Sequence, residues 1–191
     1  MLSIIMSQRN FSNKPNIVTA PLVVNTQKST IAWEGGSATT THNGLIKLKS
    51  GNLEISDGKL IGGTFEVDMT SITNLDVSEA YRGKLENHLK SEDFFDTKAF
   101  PSAHLVIIKT TAEKVNRYRI VADLTVRDIT KTIEFNATLS PNGNDYEATA
   151  TFNFDRSEFE VKHRSGSFFM NLGDKLIYDD IKVEISLVTQ K

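Results

Sequence analysis

The sequence predicts an all-β, mainly antiparallel fold that closes into a barrel of about eight strands, with one amphipathic helix over an end. Three observations lead to this prediction. Apolar and polar residues alternate over several long stretches, turn residues separate those stretches, and a single segment has helical periodicity. A closed barrel is favoured because long, bent antiparallel strands would otherwise expose unpaired edges.

The strands are predicted from this alternation. One face of each strand is buried and the other meets water, as is typical of an antiparallel sheet. The alternation is clearest over residues 65–69, 118–126, 133–139, 146–154 and 181–187.

Turn residues mark the ends of several strands. Asp57 and Gly58 predict a tight hairpin turn, and the sequence PNGN at residues 141–144 predicts a longer one. Gly62 and Gly63 fall within a strand and predict a bulge or a sharp bend.

The helix is predicted over about residues 77–90. Asp76 is the predicted N-cap, and Glu79 completes a pattern like a capping box. The helix would be roughly 20 Å long, enough to lie across the mouth of a small barrel. Its apolar face is formed by Val77, Tyr81, Leu85, His88 and Leu89.

Composition restricts the classes of function. The chain has 191 residues, 39% of them hydrophobic, which suits one globular domain. Its formal net charge of -2 provides no basic field for nucleic acid. The absence of cysteine excludes disulfides, thiolate metal sites and cysteine nucleophiles. No apolar run is long enough to span a bilayer.

Residues 1–17 are predicted to be a flexible N-terminal arm, and residues 18–191 a single β-barrel domain. The first ten residues lack the basic and apolar regions of a signal peptide, which favours a cytoplasmic location. The oligomeric state is open, and a homodimer is compatible with the sequence.

Six segments, in collinear order over about residues 25–188, resemble the YceI-like family of lipid- or polyisoprenoid-binding proteins. The most characteristic is HLKSEDFFD at residues 88–96, followed by Pro101. The others are THNGLIKLKSG (41–51), GGTFEVDMTSI (62–72), LTVRDITKTIEF (124–135), DRSEF (155–159) and GDKLIYDDIKVEISL (173–187).

The resemblance implies a bacterial, lipocalin-like barrel with an extended apolar cavity that holds a long-chain lipid, and a role in isoprenoid transport or storage. It also implies a periplasmic or secreted location if a leader has been removed. The chain departs from the family at two places: Glu160 stands where many members have glycine, and residues 25–33 lack a histidine that many members have.

The inward positions of the predicted strands combine large aromatic residues with alanines, which leave space for another molecule. We therefore expect non-catalytic binding of a long-chain polyisoprenoid or fatty-acyl lipid and no other cofactor. Arg156 would contact the head group of this ligand, or pair with Asp155 or Glu158 on the outer face. The predicted ligand-binding residues are Phe65, Val67, Leu89, Phe94, Phe95, Leu105, Ile107, Tyr118, Ile120, Phe135, Phe152 and Arg156.

Two other functions are open at this stage. The barrel could be filled by its own side chains and act as a protein-interaction or stress-associated module. It could also be a hydrolase built on Ser157, His163 and Asp155, although no G-x-S-x-G motif surrounds the serine. The four histidines have none of the spacings typical of metal ligands, so no metal site is predicted. His88 is expected to be a hydrogen-bonded packing residue.

Overall fold

The computed structural model describes residues 21–190, and the predicted N-terminal arm lies outside them. Within these residues, nine strands and one α-helix follow one another, and two short 3-10 helices, Arg156–Phe159 and Gly173–Lys175, lie between β8 and β9. The bounds are β1 Leu22–Val24, β2 Thr30–Gly36, β3 Thr41–Ser56, β4 Lys59–Asn74, α1 Glu79–Lys90, β5 Ser102–Lys114, β6 Arg117–Val126, β7 Ile129–Asn142, β8 Asp145–Asp155 and β9 Asp180–Gln190.

The predicted closed antiparallel barrel is confirmed. The eight strands β2 to β9 form a ring, which β2 closes by pairing with both β3 and β9. The short strand β1 also pairs with β3 and β9, beyond the end of β2. The two strands β1 and β2 together therefore fill the position between β3 and β9.

The alternation of buried and accessible residues is seen in the structure, most clearly in β6. Tyr118, Ile120 and Leu124 are buried on this strand, while Arg119 is exposed and Val121 is half-buried. The strands therefore direct one set of side chains to the interior, as the period-two pattern predicts.

The turns are partly as predicted. Asp57 and Gly58 have φ values of 50° and 72° and form the tight turn between β3 and β4. The prediction of a longer turn over residues 141–144 is wrong: Pro141 and Asn142 still pair with β8, which leaves a turn of only two residues, Gly143 and Asn144.

The bend at the two glycines is present. The β3–β4 register shifts between Glu54 and Ile55, beside Gly62. A Cβ atom on Gly63 would lie 2.8 Å from the Asn52 carbonyl oxygen, so a larger residue would force the two strands apart.

The helix begins later than predicted. Ser78, without a side-chain hydrogen bond, is its N-cap, so the prediction of Asp76 is wrong. Asp76 instead accepts hydrogen bonds from the Asn43 backbone N–H (2.9 Å) and Asn74 Nδ2 (2.6 Å), and pairs with His42 Nδ1 at 2.8 Å. These contacts hold the start of the helical segment against the ends of β3 and β4.

The apolar face of α1 is narrower than predicted. Tyr81 is 67% exposed, and no residue of the helix is fully buried. The helix therefore lies on the end of the barrel and is not packed into a core. No helix among the described residues has the length and apolar character needed to cross a membrane.

The two ends of the barrel differ. The β3–β4, β5–β6 and β7–β8 turns lie at one end and are short. The other end holds the short β6–β7 turn and three longer segments: the β2–β3 loop, the helical segment between β4 and β5, and segment 156–179 between β8 and β9. We call this second end the mouth.

Candidate functional site

The barrel encloses a cavity of about 510 Å³. This volume lies within the range of about 300–1,000 Å³ typical of small-molecule sites. All eight long strands contribute apolar side chains to its wall, and residues from the three segments at the mouth border it as well. The cavity therefore extends from the mouth into the centre of the barrel.

The structure places the predicted binding residues around this cavity, with one exception. Tyr118, on β6, is only 6% exposed but does not border the cavity, although Ala137, its partner on β7, does. Those that border the cavity are Phe65, Val67, Leu89, Phe94, Phe95, Leu105, Ile107, Ile120, Phe135, Phe152 and Arg156.

Small residues make room for the cavity. Ala137, Ala148 and Ala150 border it as the alternation predicts, and Ala103 does so too. Ala122 faces the interior but does not border the cavity; neighbouring side chains cover it completely. The alanines that border the cavity therefore come from β5, β7 and β8.

Two aromatic residues follow the helix at the mouth. Phe94 is 7% exposed, and its ring contacts His88 and His163 with centroid distances of 4.9 and 5.2 Å. Phe95 is half-buried, and its backbone N–H donates to the Leu89 carbonyl. Both rings border the cavity where it meets the mouth.

The predicted pairing of Arg156 with Asp155 or Glu158 on the outer face is wrong. Arg156 lies in a 3-10 helix and is fully buried, and its acidic partner is Asp179, with Nη2 and Oδ1 3.2 Å apart. Burial lowers the pKa of its guanidinium, while the charges of Asp179 and Asp155 oppose this shift. Arginine is a cation in proteins, so Arg156 places a buried positive charge beside Asp179.

The hydrogen bonds of Arg156 go mainly to backbone carbonyls. Nη1 donates to Val161 at 2.7 Å, Nε to Tyr178 at 3.0 Å, and Nη2 to His163 and Ile177 at 3.0 and 3.1 Å. The side chain thus joins the two halves of segment 156–179 and fixes one wall of the mouth. With these donors engaged, its main contribution is to hold the local fold.

The four histidines have different surroundings. His42 pairs with Asp76, and His104 is exposed on β5. His88 and His163 meet at the mouth, where their ring centroids are 4.9 Å apart and both rings face Asp93. Burial lowers the pKa of His163, with Asp93 opposing this shift. This cluster could not be predicted from the sequence, because His163 comes from a distant segment.

The residues considered for a hydrolase are not arranged as a triad. Asp155 accepts a hydrogen bond at 2.7 Å from the backbone N–H of Ser157, and Nδ1 of His163 faces Asp93. Among the described residues, no hydrogen bond joins Ser157 to His163. This arrangement lacks the nucleophile–base contact that such chemistry uses.

The sequence of the chain matches a protein family and several known proteins. A family model described as a YceI-like domain matches residues 22–189. A UPF0312 protein of Photorhabdus laumondii is 31% identical over 120 residues, which cover 63% of this chain and 60% of that protein. A UPF0312 protein of Pseudomonas putida is 31% identical over 130 residues, covering 63% and 64%. The chain thus spans less than two thirds of the length of these relatives.

Solved structures share the fold at low sequence identity. BcnA of Burkholderia cenocepacia has a TM-score of 0.73 and 19% identity, covering 87% of this chain and 99% of that one. A polyisoprenoid-binding domain from Saccharophagus degradans, implicated in plant cell wall breakdown, has a TM-score of 0.64 and 8% identity, covering 88% and 97%. The YCEI protein of Campylobacter jejuni has a TM-score of 0.60 and 14% identity, covering 100% and 99%.

Proposed function

Because the chain belongs to the YceI-like domain family, we propose that it binds a long-chain apolar ligand, a polyisoprenoid or a fatty-acyl lipid, in its barrel cavity and catalyses no reaction on it. The observation that carries this proposal is the cavity of about 510 Å³ with its predominantly apolar wall. An apolar wall favours an apolar occupant, because contact between them removes the apolar surface of both from water.

The energetics favour a long chain over a short one. Each buried methylene contributes about 0.8 kcal/mol, so a five-carbon isoprene unit contributes up to roughly 4 kcal/mol. Association costs roughly 4–15 kcal/mol in lost translational and rotational freedom. A ligand of several units offsets this cost, and a single unit does not.

The polar atoms near the cavity are mainly at the mouth. His88, His163, Arg164, Asp174 and Lys175 border it there. The chain of a lipid would therefore lie inside the barrel, and its polar end would lie at the mouth, where water and these side chains can solvate it.

The solved domain from Saccharophagus degradans is described as polyisoprenoid-binding, and its shared fold supports an isoprenoid as one candidate. The fold alone does not separate isoprenoid from fatty-acyl chains, because both are recognised by the same apolar wall. Transport or storage of the ligand is the role that non-covalent enclosure supports.

The proposal is tested by denaturing mass spectrometry of organic-solvent extracts from freshly purified protein. We expect about one long-chain lipid per chain. The control is protein that has been unfolded, washed with solvent and refolded without lipid, which should yield none. A fresh sample without lipid, together with refolded protein that takes up none of the offered isoprenoids or fatty acids, would contradict the proposal and favour an interaction module.

A further inference from the structure

We propose that His88, Asp93 and His163 form a binding site for a divalent transition-metal ion of the Zn²⁺ type at the mouth of the cavity. Each residue offers one ligand atom, and these three atoms lie within 4.8 Å of one another. Two imidazoles and one carboxylate are a ligand set that zinc and similar first-row metals accept.

The fold brings the three residues together from two separate segments. His88 lies in the last turn of α1, and Asp93 follows in the turn where Phe94 N–H donates to the Ser91 carbonyl. His163 belongs to segment 156–179, where its own carbonyl accepts a hydrogen bond from Arg156 Nη2 at 3.0 Å. The backbone at both sides of the cluster is therefore held by hydrogen bonds.

The distances are close to those that a metal needs. Asp93 Oδ2 lies 3.1 Å from His88 Nε2 and 3.9 Å from His163 Nδ1. In a tetrahedral site with metal–ligand bonds of about 2.0–2.2 Å, ligand atoms are roughly 3.3–3.6 Å apart. The ligand atoms of His88 and His163 lie within 4.8 Å of each other, so a bound ion would draw the two rings together by rotation of their side chains. The Asp93 side chain is 61% exposed and free to follow them.

The surroundings of the His163 ring also fit a metal ligand. Its side chain is only 24% exposed, and among the described residues its ring makes no hydrogen bond, since 3.9 Å to Asp93 is too long for one. A metal ion between the three side chains would coordinate Nδ1 of His163 and neutralise the Asp93 carboxylate, which both rings face. The buried cation beside the cluster, Arg156, is already paired with Asp179.

Three protein ligands leave at least one coordination position open, as in zinc sites that keep a water molecule. His88 and His163 both border the cavity, so this position lies near its opening. A bound ion would also link α1 to segment 156–179 across the mouth.

The composition makes the site easy to test. The chain has no cysteine and four histidines, and exposed His104 on β5 is a matched control outside the cluster. The protein, free of any affinity tag, is treated with a chelator and stripped of lipid, then titrated with Zn²⁺ alone by calorimetry and with Co²⁺ by visible absorption. Because no lipid is present, the result is independent of the proposed function.

We expect one Zn²⁺ per chain, and Co²⁺ bands typical of a tetrahedral site. His163→Ala and Asp93→Ala should each weaken binding at least tenfold, and His104→Ala should leave it unchanged. No saturable binding by the unaltered protein, or equal binding by all variants, would overturn the proposal. If His163→Ala does not fold, Asp93→Ala provides the test, because the Asp93 side chain is exposed and its loss should leave the fold intact.

Discussion

The rings of Phe135 and Phe152 stack with their centroids 4.8 Å apart and their planes inclined by 27°. They lie where β7 and β8 separate: among the described residues, the last pair between these strands is Ala137 with Ala150. Towards the mouth, the wall between the two strands is therefore made by side chains and not by backbone hydrogen bonds. A single substitution in the stack would therefore remove part of this wall.

Phe135→Ala should release a bound ligand faster. The stack would lose one ring at the place where the strands separate, and aromatic pairs contribute about 0.5–1.5 kcal/mol beyond their buried area. Because Phe135 is only half-buried, we expect a loss of stability of about 1–3 kcal/mol, below the 3–5 kcal/mol of a fully buried phenylalanine. Stopped-flow release of a fluorescent fatty acid measures the rate. An unchanged rate in the folded variant would show that the stack does not close the wall.

Ala150→Phe should reduce ligand capacity without unfolding the barrel. Ala150 borders the cavity, so a phenyl ring there would occupy space that a lipid chain needs. Asn153→Phe is the matched control, because Asn153 is exposed on the same strand. Binding of a long-chain fatty acid is compared by calorimetry. Equal affinities of the two variants would mean that the ligand lies elsewhere.

Trp33 should report on the ligand directly. It is the single tryptophan of the chain, it borders the cavity, and its Nε1 donates to the Thr73 carbonyl at 3.2 Å. A brominated acyl chain inside the barrel is expected to quench its fluorescence, with saturation at one ligand per chain. Quenching by the brominated chain that is no greater than by free bromide would argue against internal binding.

Loss of Arg156 should destabilise the protein strongly. Arg156→Ala removes the charge paired with Asp179 and the donor to four backbone carbonyls, and breaking a buried ion pair typically costs about 3–5 kcal/mol. Lys49→Ala is the control, since it removes an exposed ion pair with Glu66 and should have little effect. Denaturant unfolding compares the two. Similar midpoints would show that the buried pair does not support segment 156–179.

Lowering the pH should remove the contribution of Asp76 to the stability of the fold. Burial acts to raise the pKa of this carboxyl, but hydrogen bonds from Asn43 N–H, His42 and Asn74 outweigh it and hold the pKa below its usual value. The stabilisation is therefore present above about pH 4, the usual aspartate pKa, and is lost as the pH falls through the lower value of the folded state.

Urea unfolding of the unaltered protein and Asp76→Asn between pH 7 and pH 3 tests this. The unaltered protein should be the more stable at pH 7, and the difference should shrink towards pH 3. A difference that does not change with pH would mean that the ionised carboxyl of Asp76 is not the stabilising group.

The alternation in the sequence was sufficient to predict the barrel and most of its inner surface, because period-two patterning follows directly from strand geometry. Tyr118 shows what alternation leaves open: it predicts that a side chain points inward, but not whether that side chain borders free space. Ala122 faces inward in the same way and is fully packed.

The contacts of Arg156 and His163 could not be predicted, because they depend on how segment 156–179 folds over the mouth. Arg156 directs its donors to carbonyls of that segment and pairs with Asp179, and His163 meets residues at the end of α1. None of these contacts follows from local periodicity. The helix start likewise depends on Asp76 and its partners on β3 and β4, which compete with capping.

The most direct test of the account is a titration of lipid-free protein with fatty acids and isoprenoids of increasing chain length. If the barrel encloses the chain, affinity should rise by up to roughly fourfold for each added methylene and level off once the cavity is full. The plateau should come at a shorter length in Ala150→Phe. Affinity that does not depend on chain length, or no binding at any length, would contradict the conclusion that the cavity is a binding site.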